Sequence, residues 1–300
     1  MNGTAVMKRF CRLLSAVLLL GTLVLYAADD SFDWSKAKEI FPGIRHAFAD
    51  VKVPRILKIH VIRVDLTRKD LGFMTAKRDP DWGKPMPDYP ELPIRVRRMT
   101  SRDFLLQAQK KGIDMLVAVN ATPWGPWKPP YTHTYAARMG LVISDGDKIE
   151  EANGRPVFLI TRAGEFQIRK VGKDEDVSQI RLAVSGFGMI LENGELVGKP
   201  GKNPKLAPRT AYGLTADKHY MLIMTIDGRM PRISEGVSTY ELGQFMKQYG
   251  ASTALNMDGG GSTTLVIAAG RGKVKKLNVN PFYRNVAVNL GIYRIKKAKN

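Results

Sequence analysis

The sequence predicts an α+β fold, a strand-rich mixed sheet core with a few flanking helices, and three observations carry that prediction. Short apolar runs, some alternating with period two and some continuously apolar, recur between residues 55 and 294 at the lengths of strands. Two stretches carry helix punctuation. Composition is that of an ordinary globular chain. With 300 residues, 44% hydrophobic and 25% charged, it can bury a sizeable core and is unlike disordered, collagenous or disulfide-scaffold sequences.

The elements follow in order. Lys8, Arg9 and Arg12 precede an apolar run from Leu13 to Leu25, and Tyr26-Ala27-Ala28 supplies small residues before Asp29-Asp30. This is the layout of a secretory signal peptide over residues 1–28, and it predicts a secreted or periplasmic protein of the cell envelope. The run is shorter than the roughly 20 residues that span a bilayer, although an uncleaved anchor stays open. Cys11, the single cysteine, lies in this leader, so the mature chain has no thiol or disulfide chemistry. Residues 29–54 read as an N-terminal arm, and 55–295 as the main domain. Arg55–Thr67 alternates as a strand. Residues 79–93 hold five prolines and read as a long surface loop. Ser101 reads as the N-cap of a short helix, Asp103–Lys111, stopped by Gly112. Met115–Val119 is a buried-type strand ending at Asn120. Strand signals then recur at 141–143, 157–160, 165–168, 181–184, 189–191, 212–214, 221–226, 254–257, 263–268 and 285–294. They are interrupted by one clear helix, from about Thr239 to Tyr249. There Ser238 and Glu241 have capping-box spacing, which assigns Glu241 to a cap rather than to catalysis. Residues 296–300 read as a basic tail.

Charge narrows the partners. Lys and Arg number 47 against 28 Asp and Glu, a net charge of +19, and the excess is spread along the chain. Phosphorylated sugars or glycans and an anionic envelope surface are the expected partners. Nucleic acid is not expected: the chain carries an export signal and no helix-turn-helix, RRM or zinc-finger pattern. Oligomeric state is not legible.

Four segments could carry chemistry. In Asp258-Gly259-Gly260-Gly261-Ser262 a buried strand delivers an aspartate into three glycines. Such a loop can bring backbone N–H groups close to an anion, although a plain Gly-rich hairpin reads the same way. Asp227-Gly228-Arg229 places a second carboxylate at a strand end, and a surface turn is its plain alternative. Arg209-Thr210 offers a guanidinium fork suited to phosphate. Asn120 opens a loop holding Trp124, Trp127, Tyr131, His133, Tyr135 and Arg138, whose aromatic faces suit a sugar ring or simply pack on the core. No metal-ligand spacing supports a cofactor. A divalent cation at the two aspartates is conceivable but has no ligand pattern behind it.

Taken together, "MLVAVNATPW" with "GLVISDG", "RTAYGLTAD", "LIMTIDGR" with "SEGVSTYELGQFMKQYGASTALNMDGGGSTTLV", and "YRNVAVNLGIY" resemble, in order and spacing, the phosphodiester glycosidase family. The chain departs from the family pattern after Asn120, where Ala121-Thr122-Pro123-Trp124 opens a Trp- and Pro-rich loop. The resemblance implies hydrolysis of a sugar-1-phosphodiester at the anomeric C–O bond. It implies Asp258 as the first catalytic carboxylate and Asp227 as the second. Arg209 and Thr210 would hold the phosphate with Gly259, Gly260, Gly261 and Ser262. Asn120 and Trp124 would orient the sugar, and Arg229 and Arg284 would be secondary anion contacts. A non-catalytic binder of anionic envelope polysaccharide is the alternative.

Overall fold

All strand pairings among the described residues are antiparallel, and they gather into three larger sheets and two small two-stranded ones. The computed structural model describes residues 31–129, 131–137, 139–270 and 272–296. The expected leader 1–28, Arg138 and tail residues 297–300 lie outside them. The predicted strand-rich core is present, but it is antiparallel rather than mixed. With two α-helices among the described residues, the chain is mostly β rather than evenly α+β. Where strands consecutive in the chain pair, as Lys38–Phe41 does with Ile44–Val51 and Arg209–Leu214 with Tyr220–Ile226, a short turn can only return the chain antiparallel; a parallel pair needs a long crossover.

The largest sheet has eight strands. Their order is Lys38–Phe41, Ile44–Val51, Leu57–Asp65, Tyr220–Ile226, Arg209–Leu214, Thr253–Asn256, Gly188–Glu192 and Glu195–Leu196. A second sheet orders Asp147–Glu150, Val142–Ser144, Ile180–Ser185, Pro156–Thr161 and Phe166–Lys170. A third orders Val274–Lys276, Leu265–Ala268, Asp114–Asn120, Asn289–Arg294 and Leu71–Thr75. Side chains from all three meet in one core, with Ile62 and Ile223 from the first sheet, Phe158 and Val184 from the second, and Val117 and Leu290 from the third. Each such burial contributes about 1.5–3 kcal/mol, which sets strand register because a one-residue slip would turn these side chains to solvent.

Two helices cover the remaining apolar faces. Thr239–Gln248 lays Leu242, Phe245 and Met246 against Leu191, Ala211 and Ala254 of the large sheet. Its capping box is formed: the Ser238 hydroxyl accepts from the Glu241 N–H, and the Glu241 carboxylate accepts from the Ser238 N–H. Ser101–Lys110 lays Phe104, Leu105 and Ala108 on Met115 and Ala118. Its N-cap is Thr100, not Ser101, because the Thr100 hydroxyl accepts from the Asp103 N–H at 3.0 Å. Ser101 instead donates to Asn289 Oδ1 at 2.6 Å.

Two expectations change. Residues 29–54 are not an arm: Lys38–Phe41 and Ile44–Val51 form one edge of the large sheet, and Ile44 and Ala47 are buried in the cores. The proline-rich 79–93 segment contains a hairpin, Pro85–Met86 with Tyr89–Pro93. A two-stranded ribbon has open edges where a missing N–H costs no ladder bond, so proline is tolerated. Met86 and Leu92 anchor this hairpin on Ala137 of the aromatic loop.

Candidate active site

Register in the large sheet brings three sequence-distant segments to one edge. Arg209 lies opposite Ile226, and Ala211 lies opposite Asn256. The start of the Arg209–Leu214 strand therefore sits between the ends of the two strands leading to Asp227 and Asp258. Asn120, at the end of Asp114–Asn120 in the third sheet, ties this edge to its neighbour. Its Nδ2 donates to Asp258 O at 2.6 Å, and its Oδ1 accepts from Thr210 Oγ1 and from Thr264 N–H, both at 3.0 Å. Tyr212 donates to the Asn120 carbonyl at 2.9 Å, and the Asp258 N–H donates to Ala121 O at 2.9 Å. Asn120 and Thr210 are both fully buried. The sequence reading sets both against the substrate; here their polar atoms are spent on each other and on the backbone, a clamp that fixes where Asp258 emerges.

Asp258 keeps partial exposure as a residue, but its carboxylate is unevenly housed. Oδ1 accepts from the Gly259 N–H at 2.9 Å, while Oδ2 is sealed from solvent, with the Ser262 hydroxyl and the Trp124 indole beside the carboxylate as donors. Burial raises its pKa from the usual carboxylate range to about 6, against the opposing pull of Ser262, the Gly259 N–H, the Arg284 charge and Trp124. Other neighbours are incomplete. Thr122 Oγ1 and both His133 ring nitrogens are buried without a hydrogen-bond partner. Trp124 meets His133 edge-on at 5.6 Å and Trp127 at 5.1 Å. Burial and then the Arg98 charge lower the His133 pKa, which keeps the imidazole neutral. Buried polar atoms in folded proteins are nearly always paired. A group of unpaired ones beside a raised carboxyl is the signature of a site that a ligand completes.

The three glycines make room for arginines. A Cβ on Gly261 would lie 2.5 Å from Arg284 Nη2, and one on Gly260 would lie 3.2 Å from Arg229 Nη1. Gly260 also has φ +61°, and its N–H donates to Pro208 O at 2.8 Å, so that N–H is not free for an anion as expected. Arg209 passes Gly259, with Cδ 3.9 Å from a Cβ built there. Its Nε donates to Val237 O and its Nη2 to Lys205 O, both at 3.1 Å. Arg98, which no sequence pattern marked, lies 4.5 Å over the Trp124 ring. It donates to the Tyr131 carbonyl at 2.9 Å and through Nε to the His133 carbonyl at 2.7 Å. Burial, and then the charge of Arg284, lowers its pKa to about 10. Arg284 in turn lies 5.1 Å over Trp127. Among the described residues, none of Arg98, Arg209, Arg229 and Arg284 has a carboxylate within ion-pair distance. Arg98, Arg284, Gly261, Tyr131, Phe282 and Tyr283 line a cleft of about 460 Å³. Asp258 connects to it through Arg284, whose charge reaches the carboxyl and whose side chain forms the wall.

Asp227, the second carboxylate that the resemblance implies, is engaged with the protein's own loop. It is 1% exposed and faces the loop that follows Val274–Lys276, accepting from the Val279 N–H at 3.1 Å and from Asn278 Nδ2 at 3.4 Å. Burial raises its pKa, and these hydrogen bonds oppose the rise. Its carboxylate thus holds in place the segment that carries Asn280, Phe282 and Arg284 to the cleft. Neither this arrangement nor any other cluster of three His, Cys, Asp or Glu among the described residues forms a metal-binding group.

Comparison with known proteins agrees with this architecture. A phosphodiester glycosidase family model matches residues 117–293, which include the Asn120 clamp, the triglycine corner and Arg284. Among solved structures, the chain is similar to the zebrafish N-acetylglucosamine-1-phosphodiester alpha-N-acetylglucosaminidase catalytic domain auto-inhibited by its pro-peptide. The identity is 18% and the TM-score 0.59, with 86% of each chain covered. It is also similar to a hypothetical protein from Synechocystis, at 13% identity and a TM-score of 0.54, over 84% of this chain and 62% of that one. No curated protein matches it by sequence. The structural likenesses establish the fold, and the match over 117–293 establishes the family: this chain belongs to the phosphodiester glycosidases.

Proposed function

We propose that the protein hydrolyses a sugar-1-phosphodiester at the anomeric C–O bond, releasing the free sugar and a phosphomonoester. Water supplies its oxygen to the anomeric carbon, the C–O bonding pair leaves with the phosphate oxygen, and a water proton accounts for the new acid group. One observation carries the reading: a buried carboxyl with its pKa raised to about 6 stands beside guanidinium groups that have no carboxylate of their own. A departing phosphomonoester has a second pKa of about 6, so Asp258 can exchange a proton with it at little cost in either direction. Arg284 and Arg98 neutralise the charge that builds on the phosphate, in a partly desolvated cleft where such contacts act strongly. The neutral His133 offers hydrogen bonds, and Trp127 and Tyr131 the faces, that a sugar ring takes up.

The leader and the net charge of +19 support export and action on phosphorylated glycans at an anionic cell envelope, with nucleic acid not a partner. The test is sugar release from a GlcNAc-1-phosphate methyl ester by the mature chain and by Asp258→Asn. Release that disappears in the variant, with the fold retained, supports the reading. Full activity in the variant removes Asp258 from the chemistry. Binding of the ester without turnover by the unsubstituted chain would instead favour a polysaccharide-binding role. For export, an N-terminus near Asp29 in the extracytoplasmic fraction is the expected result.

A further inference from the structure

Resting on the reading that this cleft holds a phosphate, we infer that the site takes two phosphoryl groups, so that its substrate class is a sugar-1-diphosphate ester rather than a simple sugar-1-phosphodiester. The four guanidinium groups that lack carboxylate partners fall into two pairs. Arg98 and Arg284 line the same cleft, and Arg209 and Arg229 run along the neighbouring glycines Gly259 and Gly260. Each pair meets a different glycine of the same turn, Arg284 at Gly261 and Arg229 at Gly260. Consecutive Cα atoms are about 3.8 Å apart, so the nearest nitrogens of the two pairs lie within roughly a dozen ångströms of each other. That is a span which two linked phosphoryl groups, each held by hydrogen bonds of about 2.8 Å, can bridge.

One phosphate is served by one pair. A second pair of like charges is unfavourable in a partly buried place unless an anion joins it. Arg229 is also kept ready: among the described residues its side chain makes no hydrogen bond or ion pair, and its backbone sits at φ 58°, a left-handed conformation that costs a non-glycine residue and tends to persist where function requires it. Cleavage runs as before: water adds to the anomeric carbon and the bonding pair leaves with the diphosphate, giving the free sugar and a diphosphate monoester with no redox step. The group beyond the diphosphate can be a nucleoside or a polyisoprenoid, and both present the same chemistry to the arginines.

The experiment has a binding part and a turnover part. Calorimetry on the mature chain compares inorganic pyrophosphate, inorganic phosphate and citrate, an anion of charge comparable to pyrophosphate. Pyrophosphate is expected to bind at least tenfold more tightly than either, and Arg229→Gln is expected to remove that preference. Lys173→Gln, an exposed charge removed elsewhere, should keep it. Equal binding of pyrophosphate and citrate, a preference that survives Arg229→Gln, or no anion binding would each overturn the two-phosphate site. None of those results touches the glycosidase reading, which the methyl ester assay decides. In turnover, kcat/KM for a UDP-sugar or for a farnesyl diphosphate sugar should exceed that for the methyl phosphodiester of the same sugar by tenfold or more, and the better of the two names the source. Equal kcat/KM for all three would also overturn the inference.

Discussion

Replacing Asn120 by alanine separates a clamp from a ligand contact. The sequence alone assigns this residue to the sugar, whereas the structure gives it three side-chain hydrogen bonds, to Asp258 O at 2.6 Å and from Thr210 Oγ1 and Thr264 N–H at 3.0 Å. Each is worth about 1 kcal/mol net, and the groups left behind are buried, which adds a desolvation cost of about 1–3 kcal/mol for any that finds no new partner. Partial relaxation leaves an expected loss of about 3–5 kcal/mol, at the severe end for a single substitution. For a chain of this size that lowers the melting temperature by about 10 °C. Asn120→Asp should also destabilise, because it sets an oxygen against the Asp258 carbonyl. Thr210→Val should cost only about 1–2 kcal/mol, since it removes one of the three bonds. Urea unfolding followed by tryptophan fluorescence measures all three. A loss below 1 kcal/mol for Asn120→Ala, together with a higher KM and an unchanged melting temperature, would refute the clamp and restore the residue to the substrate.

Further outcomes follow from the same geometry. Asp227→Asn keeps an acceptor for the Val279 N–H and should stay within about threefold of the parent in kcat/KM, while Asp227→Ala should release the 278–280 loop and raise KM at least tenfold. Abolished turnover in the asparagine variant would return Asp227 to a chemical role. Gly261→Ala should push Arg284 aside, because the new Cβ falls 2.5 Å from Nη2, and raise KM for phosphodiesters more than it lowers kcat; an unchanged KM would remove Arg284 from anion binding. Asp258 has a folded pKa raised from 3.8 to about 6, so the folded state holds an extra proton between those values and stability falls as pH rises through that window. Asp258→Asn should therefore gain roughly 2–3 kcal/mol over the parent at pH 7 and almost nothing at pH 3. Activity of the parent that depends on the protonated form should decline above pH 6, and a flat profile there would contradict proton donation by Asp258.

Several features of this molecule are local and hence readable from the chain itself. The Ser238–Glu241 capping box needs only neighbouring residues, and it forms as its spacing requires. The hairpin around Ala163-Gly164 pairs Val157–Ile160 with Phe166–Arg169 as alternation and turn residues dictate. The triglycine corner was recognisable as a place where something approaches the backbone. Arg229 and Arg284 were marked as anion contacts only through the family resemblance, because their segments carry no pattern that distinguishes them from the other cations. Arg98 was missed for the same reason: "RVRRMTS" carries no periodic signal, and the residue matters only because Tyr131 and His133 turn their carbonyls to it.

Order along the chain was thus enough to determine the strand-rich class, the helix caps, the cationic character and the family likeness, all of which depend on composition or on residues a few positions apart. Strand direction, the edge strands made from residues 38–51, and the different surroundings of Asp258 and Asp227 were decided only in three dimensions. Two carboxylates at strand ends look alike in sequence. Folding buries one of them beside Ser262, Trp124 and Arg284, and gives the other a loop to hold. The difference lies in burial and in hydrogen-bond partners contributed from 50 to 140 positions away.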